Sequence, residues 1–118
     1  MELMKQYRFE AAHRLLGVPP GHPCGRLHGH SYMATFHVEG EVDEVAGWVV
    51  DYSEISSAVR PVVDELDHAD LNTISGLENP TSENLARWLW SRVAMKLPLL
   101  SAVTVNETTT SSCVYRGE

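Results

Sequence analysis

Between Met4 and His13 the chain alternates, with Tyr7, Phe9, Ala11 and His13 on one parity and Gln6, Arg8, Glu10 and Ala12 on the other. A period of two marks a strand, and it commits the histidine to the same face as the aromatic residues. The stretch Cys24-Gly25-Arg26-Leu27-His28-Gly29-His30 then packs a thiol and two more imidazoles into a short segment. If His28 and His30 enter a strand, their spacing puts both rings on one face, about 6.5 Å apart along the backbone. Any one of these histidines alone reads as a polar residue near a loop. Together, His13, His28 and His30 read as a metal site. Three neutral imidazoles suit zinc at about 2.0 to 2.1 Å and leave the fourth tetrahedral position for water or substrate. An open position implies catalysis.

The rest of the pattern predicts where these residues sit. A loop carrying Pro19, Pro20, Gly21, Pro23 and Gly25 leads into a second strand from Gly29 to Val38, which reverses near Gly40. Trp48-Val49-Val50 reads as a short extended piece. Ser53 is a candidate cap for a helix with Ile55, Val59, Val62, Val63 and Leu66 on one stripe. Pro61 removes a backbone donor there, so a kink or two short helical pieces are expected. Thr81 or Ser82 caps a second helix whose apolar face is Leu85, Trp88, Leu89 and Val93, with Pro98 as its stop. A strand from Ala102 to Thr108, a turn around Thr109, Thr110 and Ser111, and a last strand at Val114-Tyr115 complete the order ββααββ. This is an α+β class: a four-stranded antiparallel sheet with two helices on one face. So few strands leave open edges, which favours association of several subunits edge to edge into a larger sheet or barrel.

Composition sets the outer bounds. A chain of 118 residues, 43% hydrophobic, is enough for one core, so residues 1–118 are expected to form a single domain. No apolar run of about 18 residues exists, and Met1-Glu2-Leu3-Met4-Lys5 is no secretory leader, so no membrane partner and a cytoplasmic location are expected. Two cysteines, Cys24 and Cys113, make no disulfide framework and read as free thiols. A formal net charge of -7 with nine scattered Lys and Arg argues against a nucleic-acid surface.

Other residues carry chemistry with alternatives open. Cys24 reads either as a fourth metal ligand, which would close the site, or as a thiol activated beside the metal and cations such as Arg26. Asp67-His68 reads first as a polar helix end with a solvated histidine; the alternative is a carboxylate and imidazole pair relaying protons to or from Cys24. Glu107, in an apolar alternating strand, either faces water or accepts two parallel hydrogen bonds from a ligand edge with adjacent N–H donors. His22 sits in a loop and His37 has the opposite strand parity, so both read as structural. Cys113 reads as packed in or beside a strand, and Trp88 with Trp90 as core and interface.

Phe9-Glu10-Ala11-Ala12-His13-Arg14-Leu15, Cys24 through His30, Leu66-Asp67-His68, Pro80-Thr81-Ser82-Glu83-Asn84, Val105-Asn106-Glu107-Thr108 and Tyr115-Arg116-Gly117-Glu118 together give the chain a clear likeness. It resembles the 6-pyruvoyl-tetrahydropterin synthase superfamily along nearly its whole length. The resemblance implies the tunnelling fold, in which three sheets close a twelve-stranded barrel and two such trimers stack into a homohexamer. It also implies one zinc ion per subunit on His13, His28 and His30, with Cys24 as catalytic base and Asp67 and His68 as its relay. Glu107 would anchor a pterin, with Thr81 and Ser82 touching it from a neighbouring subunit. Three residues between Cys24 and His28 are similar to the carboxy-forming enzymes of queuosine biosynthesis; pyruvoyl-forming relatives typically carry five. The implied reaction is the cleavage of 7,8-dihydroneopterin triphosphate to 6-carboxy-5,6,7,8-tetrahydropterin, acetaldehyde and triphosphate, a carbon–carbon lyase step. Arg14, Arg26 and Arg116 are candidates to hold the triphosphate. The competing readings are the pyruvoyl-forming synthase and a non-catalytic zinc module closed by Cys24.

Overall fold

In a computed structural model describing Met1–Glu118, the chain forms one sheet backed by two helices. Strands Glu2–His13 (β1) and His28–Glu39 (β2) pair antiparallel along their whole length, from Glu2 opposite Glu39 to His13 opposite His28. Helix Tyr52–Leu66 (α1) follows, then a two-residue strand Ala69–Asp70 (β3), helix Ser82–Val93 (α2), and strands Leu100–Thr108 (β4) and Ser111–Tyr115 (β5). The sheet order is β3-β1-β2-β4-β5.

The alternation of β1 is realised on the helix side, where Tyr7, Phe9, Ala11 and His13 are all buried. The even residues of β2 face the same way: Tyr32, Ala34, Phe36 and Val38 join that core. Phe9 stacks on Tyr32 with ring centroids 5.0 Å apart, and Tyr7 meets Phe36 edge-on at 5.8 Å. The predicted stripes of α1 and α2 close the layer, with Ala58 and Ala86 added to them. His37 points to the other face, as its parity requires, where its Nε2 lies 2.8 Å from the Thr104 hydroxyl. Cys113 lies half-buried in β5, and burial pushes its thiol pKa up.

Several expectations need correction. The sheet has five strands, not four, because Ala69–Asp70 pairs parallel with Ala11 and Ala12; two residues are too short to leave a periodic signal. Trp48, Val49 and Val50 form a bend, not a strand. Asp51, rather than Ser53, caps α1, its side chain accepting the Ser53 N–H at 2.9 Å. Pro61 does not divide α1. It sits on the exposed side, while Ile55, Ala58 and Val59 before it and Val62, Val63 and Leu66 after it are buried along one stripe. Burial on both sides holds the helix through the one missing donor. Helix α2 ends at Val93, ahead of Pro98, where the N–H groups of Lys96 and Leu97 both turn back to the Val93 carbonyl.

Thr81 is the N-cap of α2, accepting the Asn84 N–H at 3.1 Å. Replacing it with alanine orphans that donor and is expected to cost about 1 kcal/mol, read as a lower urea midpoint at unchanged slope.

The molecule is long, 58 × 23 × 22 Å, because strands of 12 residues reach roughly 40 Å. Its radius of gyration of 15.3 Å exceeds the roughly 13.5 Å of a compact domain of this length.

Candidate active site

The β1–β2 ladder ends on the pair His13 and His28, and His30 follows on the same face. At this end the helices no longer cover the sheet completely: His13 is fully buried, while His28 and His30 are partly open. One ring nitrogen from each of the three lies within 4.8 Å of the other two, a group positioned to bind a metal ion.

The surrounding hydrogen bonds decide which nitrogens face inward. His13 Nδ1 lies 2.9 Å from the Pro80 carbonyl, and His28 Nδ1 lies 2.7 Å from the Arg26 carbonyl. A carbonyl only accepts, so both Nδ1 atoms carry the proton and both Nε2 atoms present lone pairs. Those two Nε2 atoms stand 3.1 Å apart, close to the roughly 3.3 Å edge of a zinc–nitrogen tetrahedron. Two bare lone pairs at that distance repel unless a cation lies between them, so the donor set fits a metal. Burial lowers the His30 pKa and so favours its neutral, ligating form, with Glu107 opposing that shift and His13 and His28 adding to it. The Tyr32 hydroxyl, 3.1 Å from His13 Nδ1, shares that N–H as an acceptor. Burial, and then the Glu107 charge, push its pKa upward, so it stays protonated.

Glu107 extends from β4 onto this face, with Oε1 3.3 Å from His13 Nε2 and 3.7 Å from His30 Nε2. Its side chain is only partly exposed, and its carboxylate lies against the histidine group.

Cys24 is not among the donors of the metal group, so the four-ligand arrangement that would close the site is not formed. It occupies a single 3-10 turn, Pro23–Gly25, where its N–H donates to His22 Nδ1 at 3.1 Å and its carbonyl accepts the Leu15 N–H at 2.7 Å. His22 is therefore a capping residue.

Asp67 and His68 end α1. The Asp67 carboxylate accepts the Glu10 N–H at 3.0 Å, and this bond, more than the adjacent His68, holds its pKa below the ordinary aspartate value. His68 lies 3.1 Å from it and takes a left-handed φ of 60°, uncommon outside glycine though histidine adopts it more readily than most side chains. Its ring is mostly exposed and shares a cleft of about 470 Å³ with His30, Glu10 and Asp70. The only polar contacts of Cys24 are those to His22 and Leu15, so the chain does not itself join the thiol to this pair. Thr81 and Ser82 begin α2 directly after Pro80, whose carbonyl orients His13. Arg14 and Arg26 line one cleft, and Arg116 does not.

Pro80 and Arg26 orient the imidazoles through backbone carbonyls, which leave no side-chain signal to read in advance. Nor does the sequence single out Asn72, which brackets Arg14 by accepting its N–H and donating to its carbonyl, both at 2.9 Å.

A largely antiparallel sheet that gathers three imidazoles and a carboxylate at the open end of its helix-covered face defines a protein with an accessible group positioned to bind a metal ion. Comparison with known proteins gives this class its family. The chain belongs to the 6-pyruvoyl tetrahydropterin synthase family, whose profile it matches over residues 2–118. It is 38% identical to a 6-carboxy-5,6,7,8-tetrahydropterin synthase of Synechocystis, over 96% of this chain and 91% of that one. A dihydroneopterin monophosphate aldolase of Pyrococcus furiosus is 43% identical over 61% of this chain and 60% of its own. Among solved structures, the 6-pyruvoyl tetrahydropterin synthase of Caenorhabditis elegans superposes with a TM-score of 0.93 at 26% identity, covering 100% of this chain and 96% of that one.

Proposed function

We propose that the protein converts 7,8-dihydroneopterin triphosphate to 6-carboxy-5,6,7,8-tetrahydropterin, acetaldehyde and triphosphate, a carbon–carbon lyase step of queuosine biosynthesis in the cytoplasm. The observation that carries this reading is the meeting of one ring nitrogen from each of His13, His28 and His30 with the Glu107 carboxylate on one face. The near full-length likeness to a carboxy-forming synthase supports it.

In this reading His13, His28 and His30 hold zinc, which when bound polarises and acidifies side-chain hydroxyls of the substrate. Glu107 accepts the paired N–H donors of the pterin edge, a bidentate contact that fixes the ring. Thr81 and Ser82 line the ring from the start of α2 of a neighbouring subunit. Cys24 takes a proton from the first side-chain carbon, and Asp67 and His68 move protons on and off the thiol. Because one chain does not join that pair to Cys24, the relay is completed between subunits of a homohexamer. The elongated shape and the open sheet edges, β5 on one side and β1 before its short pairing with β3 on the other, support such an assembly. Light scattering is expected to give six times the 13.1 kDa chain mass.

The aldolase likeness favours a second reading, cleavage of a dihydroneopterin monophosphate. Mass spectrometry of products, with a parallel acetaldehyde assay, separates the readings when zinc-loaded protein is offered the triphosphate and the monophosphate in turn. Acetaldehyde with the 6-carboxy product from the triphosphate is the expected result. The 6-pyruvoyl product without acetaldehyde identifies the pyruvoyl-forming reaction, and turnover of the monophosphate alone identifies the aldolase.

A further inference from the structure

At the pole of the molecule farthest from the histidines, where Glu2 meets Glu39, a cleft of about 370 Å³ is lined chiefly by apolar groups, among them Leu3, Val42, Trp48, Val49 and Tyr52. No lysine or arginine lines it. Trp48 is 49% exposed, Tyr52 52% and Val42 41%. Large apolar side chains left half-open as a group, rather than singly, mark a contact surface.

The cleft is firmly built. Asp43 ties its loop together: Oδ1 accepts the N–H groups of Val45 at 2.8 Å and Ala46 at 2.9 Å, and its own N–H donates to the Trp48 carbonyl at 2.8 Å. Gly47 supplies the left-handed φ of 81° that this turn needs. Behind the loop Val49 and Val50 pack against the core, and a Cβ on Gly40 would come within 3.1 Å of Val49. Trp48 and Tyr52 are thus set in place in advance, which lowers the ordering cost of association.

The electrostatics of this pole are one-sided. From Leu27 to Val59 the chain has no lysine or arginine, while it carries Glu39, Glu41, Asp43, Glu44, Asp51 and Glu54. Glu2 and Glu39 stand directly opposite in the ladder, a like-charge pair that disfavours the sheet end, with the His37 ring 3.8 Å from Glu2. Lys5 and Arg60 are engaged elsewhere: Lys5 donates to Ser56 Oγ at 2.7 Å, and the Arg60 guanidinium lies 4.9 Å from the centre of the Tyr7 ring. Such a field repels nucleic acid and anionic lipid and attracts cations. An indole and a phenol beside carboxylates suit guanidinium groups, which stack on aromatic faces and pair with carboxylates. The volume is at the small end of the roughly 300–1,000 Å³ of ligand pockets, which suits a short segment rather than a folded face.

We infer that this pole docks a short, arginine-bearing apolar segment of a partner protein. The histidine group lies at the other end of the twelve-residue ladder, roughly 40 Å away, so a docked partner leaves it open, and the docking does not depend on the reaction at that end.

The test is fluorescence anisotropy of the full chain with a labelled peptide of alternating leucine and arginine, beside a peptide of alternating leucine and glutamate. The Leu–Arg peptide is expected to bind, less tightly as salt is raised, and the Leu–Glu peptide to show no binding. Trp48→Ala is expected to weaken the Leu–Arg peptide at least about 10-fold, as loss of an aromatic anchor does. Glu41→Lys with Glu44→Lys, both on exposed positions and so without effect on the unfolding temperature, should weaken it as well. No binding of the Leu–Arg peptide, binding that survives either change in a folded variant, or equal binding of the Leu–Glu peptide overturns the inference. So does an oligomeric mass that Trp48→Ala lowers, which gives the cleft to a second copy of the chain, or Trp48-dependent binding to phosphatidylserine vesicles, which gives it to a membrane.

Discussion

Replacing His28 with alanine is expected to strip the protein of its bound metal, and with it of the proposed turnover, while leaving it folded. The imidazole supplies one of three inward nitrogens, and its removal leaves two donors, too few to keep the ion against water. The loss in metal affinity should exceed the roughly 10- to 100-fold that removal of a mere orienting partner costs. His28 is the informative choice because it is only partly buried. His13 is fully enclosed, and its removal would also orphan the Pro80 carbonyl and leave a void against Tyr32, confounding metal loss with unfolding. Metal content after gel filtration, read beside thermal unfolding in chelator, separates the two effects. Full zinc retention in the His28 variant would remove that residue from the ligand set.

The Cys24→Ala protein is expected to keep its zinc and its stability and to lose about 10²- to 10⁴-fold in kcat, the range a positioned proton-transfer group supplies. Cys24 stands outside the metal group, and its polar anchoring runs through its backbone N–H and carbonyl, which alanine retains. The turn should therefore survive the change. Chemistry, not architecture, is what the substitution removes. A fall in zinc content or in unfolding temperature would instead make Cys24 a fourth ligand, and with it the protein a structural zinc module.

Sequence reading succeeded where a side chain announces its own geometry. The alternation from Tyr7 to His13 and the His28-Gly29-His30 spacing sufficed to put three imidazoles on one face, because strand parity is a local property. The stripes of α1 and α2 were legible for the same reason. Reading failed where the decisive group lies elsewhere in the chain. Asp51 could be recognised as the cap only once its neighbours turned, and Pro61 was tolerated because burial on both sides outweighed one missing donor. The pairing of Ala69–Asp70 with β1 depends on the Asp67 and His68 contacts to Glu10, which no window around residue 69 contains. The outward glutamate of a strand and the inward one look alike in sequence, and only the β2–β4 register distinguishes Glu107.

The bond from His13 Nδ1 to the Pro80 carbonyl joins the sheet to the residue that precedes the cap of α2. An ion drawn to His13 Nε2 strengthens the polarity of that N–H, and so tightens the grip on the helix start; the two equilibria are linked and the linkage is reciprocal. Metal saturation at about 100 times the dissociation constant adds about 2.7 kcal/mol to the folded state. Part of that should surface far from the ion, as slower hydrogen exchange at the Asn84 amide held by Thr81. A metal ion held by the three histidines would then serve as a clasp between the two layers, and the chain emptied of it would begin to fray at the start of α2.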